Sequence, residues 1–510
     1  MGLRDVTLDD KYTLLNGRIF VTGIQALVRL PMLQKLRDQK AGLNTAGYIS
    51  GYRGSPLGAF DQQLVRASHF LEQQNILFQP GVNEELAATA CSGTQQINLQ
   101  GAGAYDGVFS MWYGKGPGVD RSGDALRHAN NFGTSEHGGI LALLGDDHAC
   151  ESSTTAHQSE YAMVDAMIPV LNPSSVQDIL DYGLYGFAMS RFTGGVVSFK
   201  CVHDTVEATA SVEVAEDRTH ITLPTDFDLP AGGLNIRAED TFLDQEFRVH
   251  NYKLEAAKAF ARSNQLDQLT VNPSDAWLGI ATTGKSYVDV RQALLELGID
   301  DHKATQLGIR IYKIALSWPL EPNGAERFAR GLQSIVVVEE KRGLIEDQLK
   351  SLLYGRSNAP DIVGKRDNNK QILFPSTARL NATDIAIKIG ARIVEKTANN
   401  TVANRLTQLE ETMRAASERQ APAMTRTPYF CAGCPHNTGT RLPEGSHAKS
   451  GIGCHFMVQW MDRNTAGYTQ MGGEGASWVG EAPFSKHEHM FQNIGAVSYT
   501  HLTLPTIYSV

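Results

Sequence analysis

Short apolar runs separated by stretches of helical period constrain this chain more than any other feature. Ile140 to Leu144 contains no polar residue and stops at the loop Gly145-Asp146-Asp147-His148-Ala149-Cys150-Glu151-Ser152-Ser153. A strand that is apolar at every position must be covered on both faces, as in a parallel sheet packed between helices. Gly195 to Val202 reads as a second, mostly apolar strand. Between them Ser175 and Asp178 make a capping-box pattern, opening a helix whose apolar face includes Val176, Ile179, Leu180 and Phe187. Nearer the start, Ile24, Leu27, Val28, Met32 and Leu36 recur at helical spacing; Pro31 is expected to bend that helix and Gly42 to close it. A strand over Thr45 to Ser50 then runs into Gly51-Tyr52-Arg53-Gly54-Ser55-Pro56-Leu57-Gly58, a loop by its three glycines and proline. Glu84 to Gly103 is rich in small residues and suggests a helix pressed against its neighbours. The sum is an α/β domain with a largely parallel sheet over about residues 15–210.

Length and charge bound the rest. At roughly 150 residues per domain, a chain of 510 residues points to about three. Residues 211–270 are charged and irregular, a bridging segment with helical character near Asn251 to Arg262. A second α/β unit follows over 271–356, with strands at Trp277 to Ala281, Ile309 to Ile314 and Ile335 to Val338 and a helix from Ser286 to Leu297. Residues 357–428 are polar, with amphipathic helices near Asp384 to Val394 and Val402 to Ala416, and read as a connection. A third region starts at Tyr429. The 46 Lys and Arg against 55 Asp and Glu form no basic block, which argues against a nucleic-acid groove. Charges at Arg4, Asp5, Asp9, Asp10 and Lys11 argue against a signal peptide, and no apolar run is long enough for a bilayer, so a soluble, cytoplasmic protein is expected.

The densest chemistry is Cys431-Ala432-Gly433-Cys434-Pro435-His436 followed by Gly451-Ile452-Gly453-Cys454. A C-x-x-C turn, with Gly433 letting the backbone fold back, puts two thiolates on one side of a loop, and Cys454 is a third candidate. Two chemistries fit: zinc with His436 or His455 as fourth ligand, or an iron–sulfur centre whose fourth cysteine lies elsewhere. Cys91, Cys150 and Cys201 sit among apolar or small residues and read as buried structural thiols. A rival signal is Gly279 to Ser286, which satisfies the phosphate-loop pattern, with Glu339 and Glu340 closing an apolar strand. The apolar run through Ile280 and Ala281 favours a strand with a short turn at Thr282 to Gly284 instead. Glu84 and Glu85 open the small-residue helix, where the helix dipole alone would favour acids.

Taken together these motifs resemble the 2-oxoacid:ferredoxin oxidoreductases, in particular the large fused indolepyruvate ferredoxin oxidoreductases of bacteria. The resemblance runs from about residue 10 to Gly495. It rests on Gly51-Tyr52-Arg53-Gly54-Ser55-Pro56, Val82-Asn83-Glu84, Trp112 to Arg121, Gly145-Asp146-Asp147-His148 with Ser152-Ser153, the cysteine motif, and Met471-Gly472-Gly473-Glu474-Gly475.

The resemblance implies a thiamine diphosphate-binding fold of mostly parallel sheets plus a transketolase C-terminal-like α/β domain. Residues 15–210 would be the pyrimidine-binding domain, 271–356 the transketolase-like domain, and 429–495 the start of a diphosphate-binding domain. It implies oxidative decarboxylation of an aryl 2-oxo acid, electrons passed to ferredoxin and the acyl group to coenzyme A. Glu84 takes the position of the carboxylate that activates thiamine, with Glu85 the fallback; Ser55 and Pro56 would lie near thiazolium and substrate. Arg53, Lys115 and Arg121 are candidates for the substrate carboxylate, with a solvated or structural role as the alternative. Cys431, Cys434 and Cys454 match three ligands of a 4Fe-4S cluster, and Gly433, His436, Gly473 and Glu474 fall in the cofactor-binding region. After Gly495 the chain departs from the family's magnesium and diphosphate motif, and 496–510 reads as a foreign tail. The expectation is an N-terminal fragment, inactive alone, of an enzyme that is a homodimer at full length. A P-loop ATPase and a zinc-bearing scaffold remain the alternatives.

Overall fold

The computed structural model describes residues 6–215, 217–418 and 426–494. The tail 496–510 lies outside them, as do the magnesium ligands expected beyond Gly495. The chain divides into two compact units, Met1–Glu151 with Ala156–Ala415, and Ser152–Thr155 with Ala416–Val510. No helix among the described residues is long and apolar enough to cross a membrane.

The first lobe of the larger unit contains strands β1 (Asn16–Thr22), β2 (Thr45–Gly51), β3 (Ile76–Phe78), β4 (Gly107–Lys115), β5 (Ile140–Asp146), β6 (Val170–Leu171), β7 (Val196–Val202) and β8 (Thr209–Ala215). β5 and β7 are buried along their whole length, in β7 with Ser198 and Lys200 among the buried residues. The second lobe contains β9 (Gln268–Val271), β10 (Leu278–Thr283), β11 (Ile309–Ile314), β12 (Leu316–Trp318), β13 (Ser334–Val338) and β14 (Asp361–Val363). Its sheet has the order β14-β13-β10-β11-β9, parallel except for β9. The larger sheet has the order β12-β6-β7-β5-β4-β2-β3. β12 is therefore lent by the second lobe to the first, antiparallel to β6 with Leu316 opposite Leu171. β1 and β8 form a separate antiparallel ribbon.

Local chemistry accounts for the helix boundaries. The helix Gly23–Lys40 is closed at its start by a capping box between Thr22 and Gln25, and at its end Gly42, with φ 77°, donates to Gln39 O. Pro31 sits inside this helix without interrupting it. Its buried face also takes in Arg29, fully buried, whose guanidinium donates to the carbonyls of Tyr12 and Leu14. The helix Val176–Thr193 starts as expected, with Ser175 accepting from Asp178 N at 3.1 Å. The reciprocal half of the box is absent because the Asp178 carboxylate is engaged by Ser174 and by Lys313 of the second lobe. The helices Ala382–Thr397 and Asn400–Ser417, read from sequence as a connection, instead pack into the second lobe's core. Ile385, Ile389, Ile393, Val402 and Leu406 join Val290, Leu294 and Leu297 there, because their apolar faces need a partner.

The smaller unit has little regular structure. Two-residue strands β15 (Ala448–Lys449) and β16 (Phe491–Gln492) pair in parallel, and a 3₁₀ segment spans Gly453–Trp460.

Candidate functional site

Open parallel sheets bind ligands beyond the carboxyl ends of their strands, and most of the sequence-predicted residues of the first lobe collect there. The loop after β2 is tied to its neighbours by backbone: Tyr52 N donates to Tyr113 O at 3.1 Å and Gly81 N to Gly51 O at 2.9 Å. Gly51 is needed because a β-carbon there would stand 2.6 Å from Tyr113 Cγ. A β-carbon on Gly54 would stand 2.9 Å from Lys115 Cβ, so the loop lies flat against the stem of that lysine. Ser55 is exposed and Pro56 buried, across a cis peptide bond.

Glu84 is the first residue of the helix Glu84–Thr94, which is shorter than the small-residue stretch suggested. Asn83 caps it by accepting from Leu86 N at 2.9 Å, and Trp112 Nε1 donates to Glu84 O at 2.9 Å. These contacts turn Glu84 inward, where it is 2% exposed, while Glu85 faces solvent. The wall over the Glu84 side chain is the short helix Gly116–Arg121. A methyl on Gly118 would stand 2.5 Å from Glu84 Cγ and 2.6 Å from Cδ, and Gly114 is flush with the same side chain. The Glu84 side chain thus packs closely against two glycines, where any β-carbon would displace it.

The three basic candidates differ. Burial lowers the Lys115 ammonium, with Asp147 and Cys150 pulling the other way. Arg53 is exposed but close enough to act on Asp61, whose carboxyl is raised by burial and lowered in turn by Arg53. Arg121 is exposed in the last turn of its helix. Cys91 and Cys201 are buried as expected, whereas Cys150 is exposed at φ 57° because it follows the strand end rather than packing beneath it.

The phosphate-loop reading of Gly279 to Ser286 is overturned. Gly279 to Thr282 are in β10, paired with both β11 and β13, so their amides serve the sheet. The strand ends at Thr283 and the helix Gly284–Glu296 begins at the next residue, with Gly284 at φ 51°. Lys285 Nζ is already taken by Asp289 at 2.5 Å, Leu380 O at 2.8 Å and Glu340 at 3.1 Å.

Lys285 belongs to a buried charged cluster that sequence reasoning did not assemble. Lys200 Nζ pairs with Glu160 and lies 3.5 Å from Asp146 Oδ2. Burial opposes the Lys200 ammonium, but Glu160 and Asp146 outweigh it and hold it charged. His148 stands 3.9 Å from both Asp146 and Glu340, and burial, followed by Lys200 and other lysines, keeps its imidazole well below the usual range. Asp146 and Glu340 end apolar strands, which was the one visible hint in the sequence.

In the smaller unit the C-x-x-C turn forms: Gly433 has φ 77°, and Cys434 N donates to Cys431 O at 3.1 Å. Cys431 and Cys454 are exposed and Cys434 half-buried. The His436 ring packs 5.1 Å from that of His455 and 5.2 Å from Phe430. Gly473 N donates to Gln470 O, and the Glu474 carboxylate, 5% exposed, accepts from Gly472 N at 2.7 Å. Among the described residues no group of three or more His, Cys, Asp or Glu is arranged to hold a metal ion, so the three thiols do not form one.

Comparison with known proteins agrees with the fold. Residues 268–416 match the indolepyruvate oxidoreductase domain family. The chain is 24% identical over 466 residues to the indolepyruvate oxidoreductase subunit IorA of Pyrococcus abyssi, covering 89% of this chain and 63% of that one. The corresponding subunit of Methanothermobacter marburgensis is 22% identical over 420 residues, 82% of this chain and 59% of its own. The chain thus spans less than two thirds of the length of these relatives. Among solved structures, the 2-oxoglutarate:ferredoxin oxidoreductase of Magnetococcus marinus superposes with a TM-score of 0.54 at 14% identity, over 74% of this chain and 66% of that one. This α/β chain is similar over most of its length to the indolepyruvate oxidoreductase subunits and shares the fold of a 2-oxoacid:ferredoxin oxidoreductase.

Proposed function

We propose that this chain carries the thiamine-activating part of an enzyme that oxidatively decarboxylates an aryl 2-oxo acid of the indolepyruvate type. The single observation behind this reading is Glu84: a buried carboxylate at the carboxyl edge of a parallel sheet, its side chain packed flush against Gly118. A buried carboxylate fixed in this way is the kind of group that can hydrogen-bond an aminopyrimidine ring and promote its imino form. Thiamine diphosphate, when bound, supplies the nucleophilic carbon and electron sink that decarboxylation of a 2-oxo acid needs.

The roles of the protein's own groups follow. Glu84 would hold and release a proton at its carboxylate oxygens, the role by which an acid activates thiamine when it is bound. Trp112 and Asn83 fix the start of its helix so that the acid cannot swing to solvent. Ser55 and Pro56 border the substrate, and Lys115, with Arg53 or Arg121, pairs with the substrate carboxylate. The first lobe is read as the pyrimidine-binding domain, the second as the transketolase C-terminal-like domain, and residues 429–495 as the start of the diphosphate-binding domain.

The same reading places Cys431, Cys434 and Cys454 on a 4Fe-4S cluster, Mg²⁺ with the diphosphate, and coenzyme A and ferredoxin as acyl and electron acceptors, in a cytoplasmic homodimer. Gly433, His436, Gly473 and Glu474 would border these cofactors. Glu84→Gln in the full-length enzyme tests the central assignment. Decarboxylation is expected to fall by about 10²- to 10⁴-fold with thiamine diphosphate still bound, while Glu85→Gln changes little. Unchanged turnover in Glu84→Gln would show that the wrong acid was chosen.

A further inference from the structure

The phosphate-loop-like segment has no nucleotide to serve, yet Ser286 is buried and Lys285 half-buried where the two lobes of the larger unit meet. They line a small cavity of about 20 Å³ whose wall also includes His148, Glu160, Lys200 and Glu340. That volume is room for one water and little else. Three fully buried polar atoms on its lining residues have no hydrogen-bond partner: His148 Nε2, Glu160 Oε2 and Ser286 Oγ. A buried polar atom left without a partner is costly, which favours an occupant able to bond to these atoms.

The charges around it select the occupant. Lys200 and Lys285 put two ammonium groups in the wall, which opposes a metal ion; Glu160 and Glu340 oppose an anion. A neutral molecule with two donors and an acceptor remains. From these three atoms and this volume we propose that a single ordered water occupies the cavity, donating to Glu160 Oε2 and His148 Nε2 and accepting from Ser286 Oγ. Three hydrogen bonds are the usual complement of an internal water. A neutral imidazole, which burial favours at His148, offers the lone pair this arrangement requires.

The water joins the lobes. His148 and Glu160 follow β5 in the first lobe, and Ser286 lies in the first turn of the helix Gly284–Glu296 in the second. Together with Lys285 on Glu340, it gives the Gly284-Lys285-Ser286 segment the role of a hydrated fastening in place of a phosphate cradle. This inference is independent of the reading of Glu84.

A crystal structure of the full-length protein at better than about 2 Å tests it directly, in a lattice grown with and without magnesium and ATP. The expected result is one spherical peak within hydrogen-bond distance of all three atoms, with no anomalous signal and unchanged by ATP. An empty cavity, a peak with metal-like coordination, or phosphate density at Gly284 would overturn the proposal. In Ser286→Val the peak should vanish and thermal unfolding should shift down by about 1–3 °C. Retention of the same peak in that variant would equally overturn it; should the variant not fold, the wild-type density decides.

Discussion

Gly118 offers the sharpest test of how the packing around Glu84 works. A methyl group there would come within 2.5 Å of Glu84 Cγ and 2.6 Å of Cδ. Carbon atoms rest at about 3.5 Å or more, so Gly118→Ala must push the side chain away by about 1 Å. The backbone cannot absorb that shift easily, because Glu84 O is held by Trp112 Nε1 and the helix start by Asn83. A displacement of about 1 Å in a catalytic group costs on the order of 10²-fold in turnover. The overpacking itself should cost only about 1–3 kcal/mol of stability. Steady-state decarboxylation kinetics and thermal unfolding, measured on the same preparation of full-length enzyme, separate the two. The expected pattern is a folded protein with a turnover number reduced about 100-fold. Gly123→Ala, where a methyl would meet nothing within 4 Å, serves as the control. Turnover within a factor of two of wild type in Gly118→Ala, with the fold intact, would refute the idea that this packing holds the acid in its working position.

Two further outcomes concern buried charge. Lys253 donates to Asn130 O at 2.9 Å and Gly194 O at 2.8 Å, and burial, helped by Arg248 and Arg237, pushes its ammonium down to about 7. The unfolded chain therefore binds one more proton than the folded one between about pH 7 and 10.4, and stability rises with pH across that window by up to about 1.4 kcal/mol per unit. Lys253→Met should flatten that rise in unfolding midpoints recorded at pH 7, 8 and 9; parallel profiles for the two proteins would contradict it. Lys200→Met strands Glu160 and Asp146 in the interior, and a loss of about 3–5 kcal/mol is expected. Pairing it with Glu160→Gln should recover part of the loss, and strictly additive losses in denaturation would argue that the two do not interact.

Much of the first lobe could be read from local pattern. β5 and most of β7 are apolar because both faces are covered, and Ser175 marks a helix start by its own hydrogen bond. The inward turn of Glu84 was only half legible: the acidic pair was visible, but its orientation depends on Trp112 and Gly118, which lie 28 and 34 residues away along the chain. The cluster at the lobe junction was harder still. Lys285 meets Glu340 across 55 residues, and His148 meets the same carboxylate from the other lobe. No periodicity encodes such meetings, since charges at strand ends look like ordinary solvated loop residues until two sheets face each other. The helices after Ala382 were misplaced for a related reason: an amphipathic stripe announces that it needs a partner without saying which.

The position of β12 bears on how this gene can be cut. Because Leu316–Trp318 completes the edge beside β6, a polypeptide ending anywhere between the lobes would present Val170 and Leu171 as an open, greasy border with unmet amides. Such a product would tend to self-associate, so expression trials and chimeras that respect the apparent modular boundary near residue 215 should yield insoluble material, whereas those that carry the chain past Trp318 avoid it.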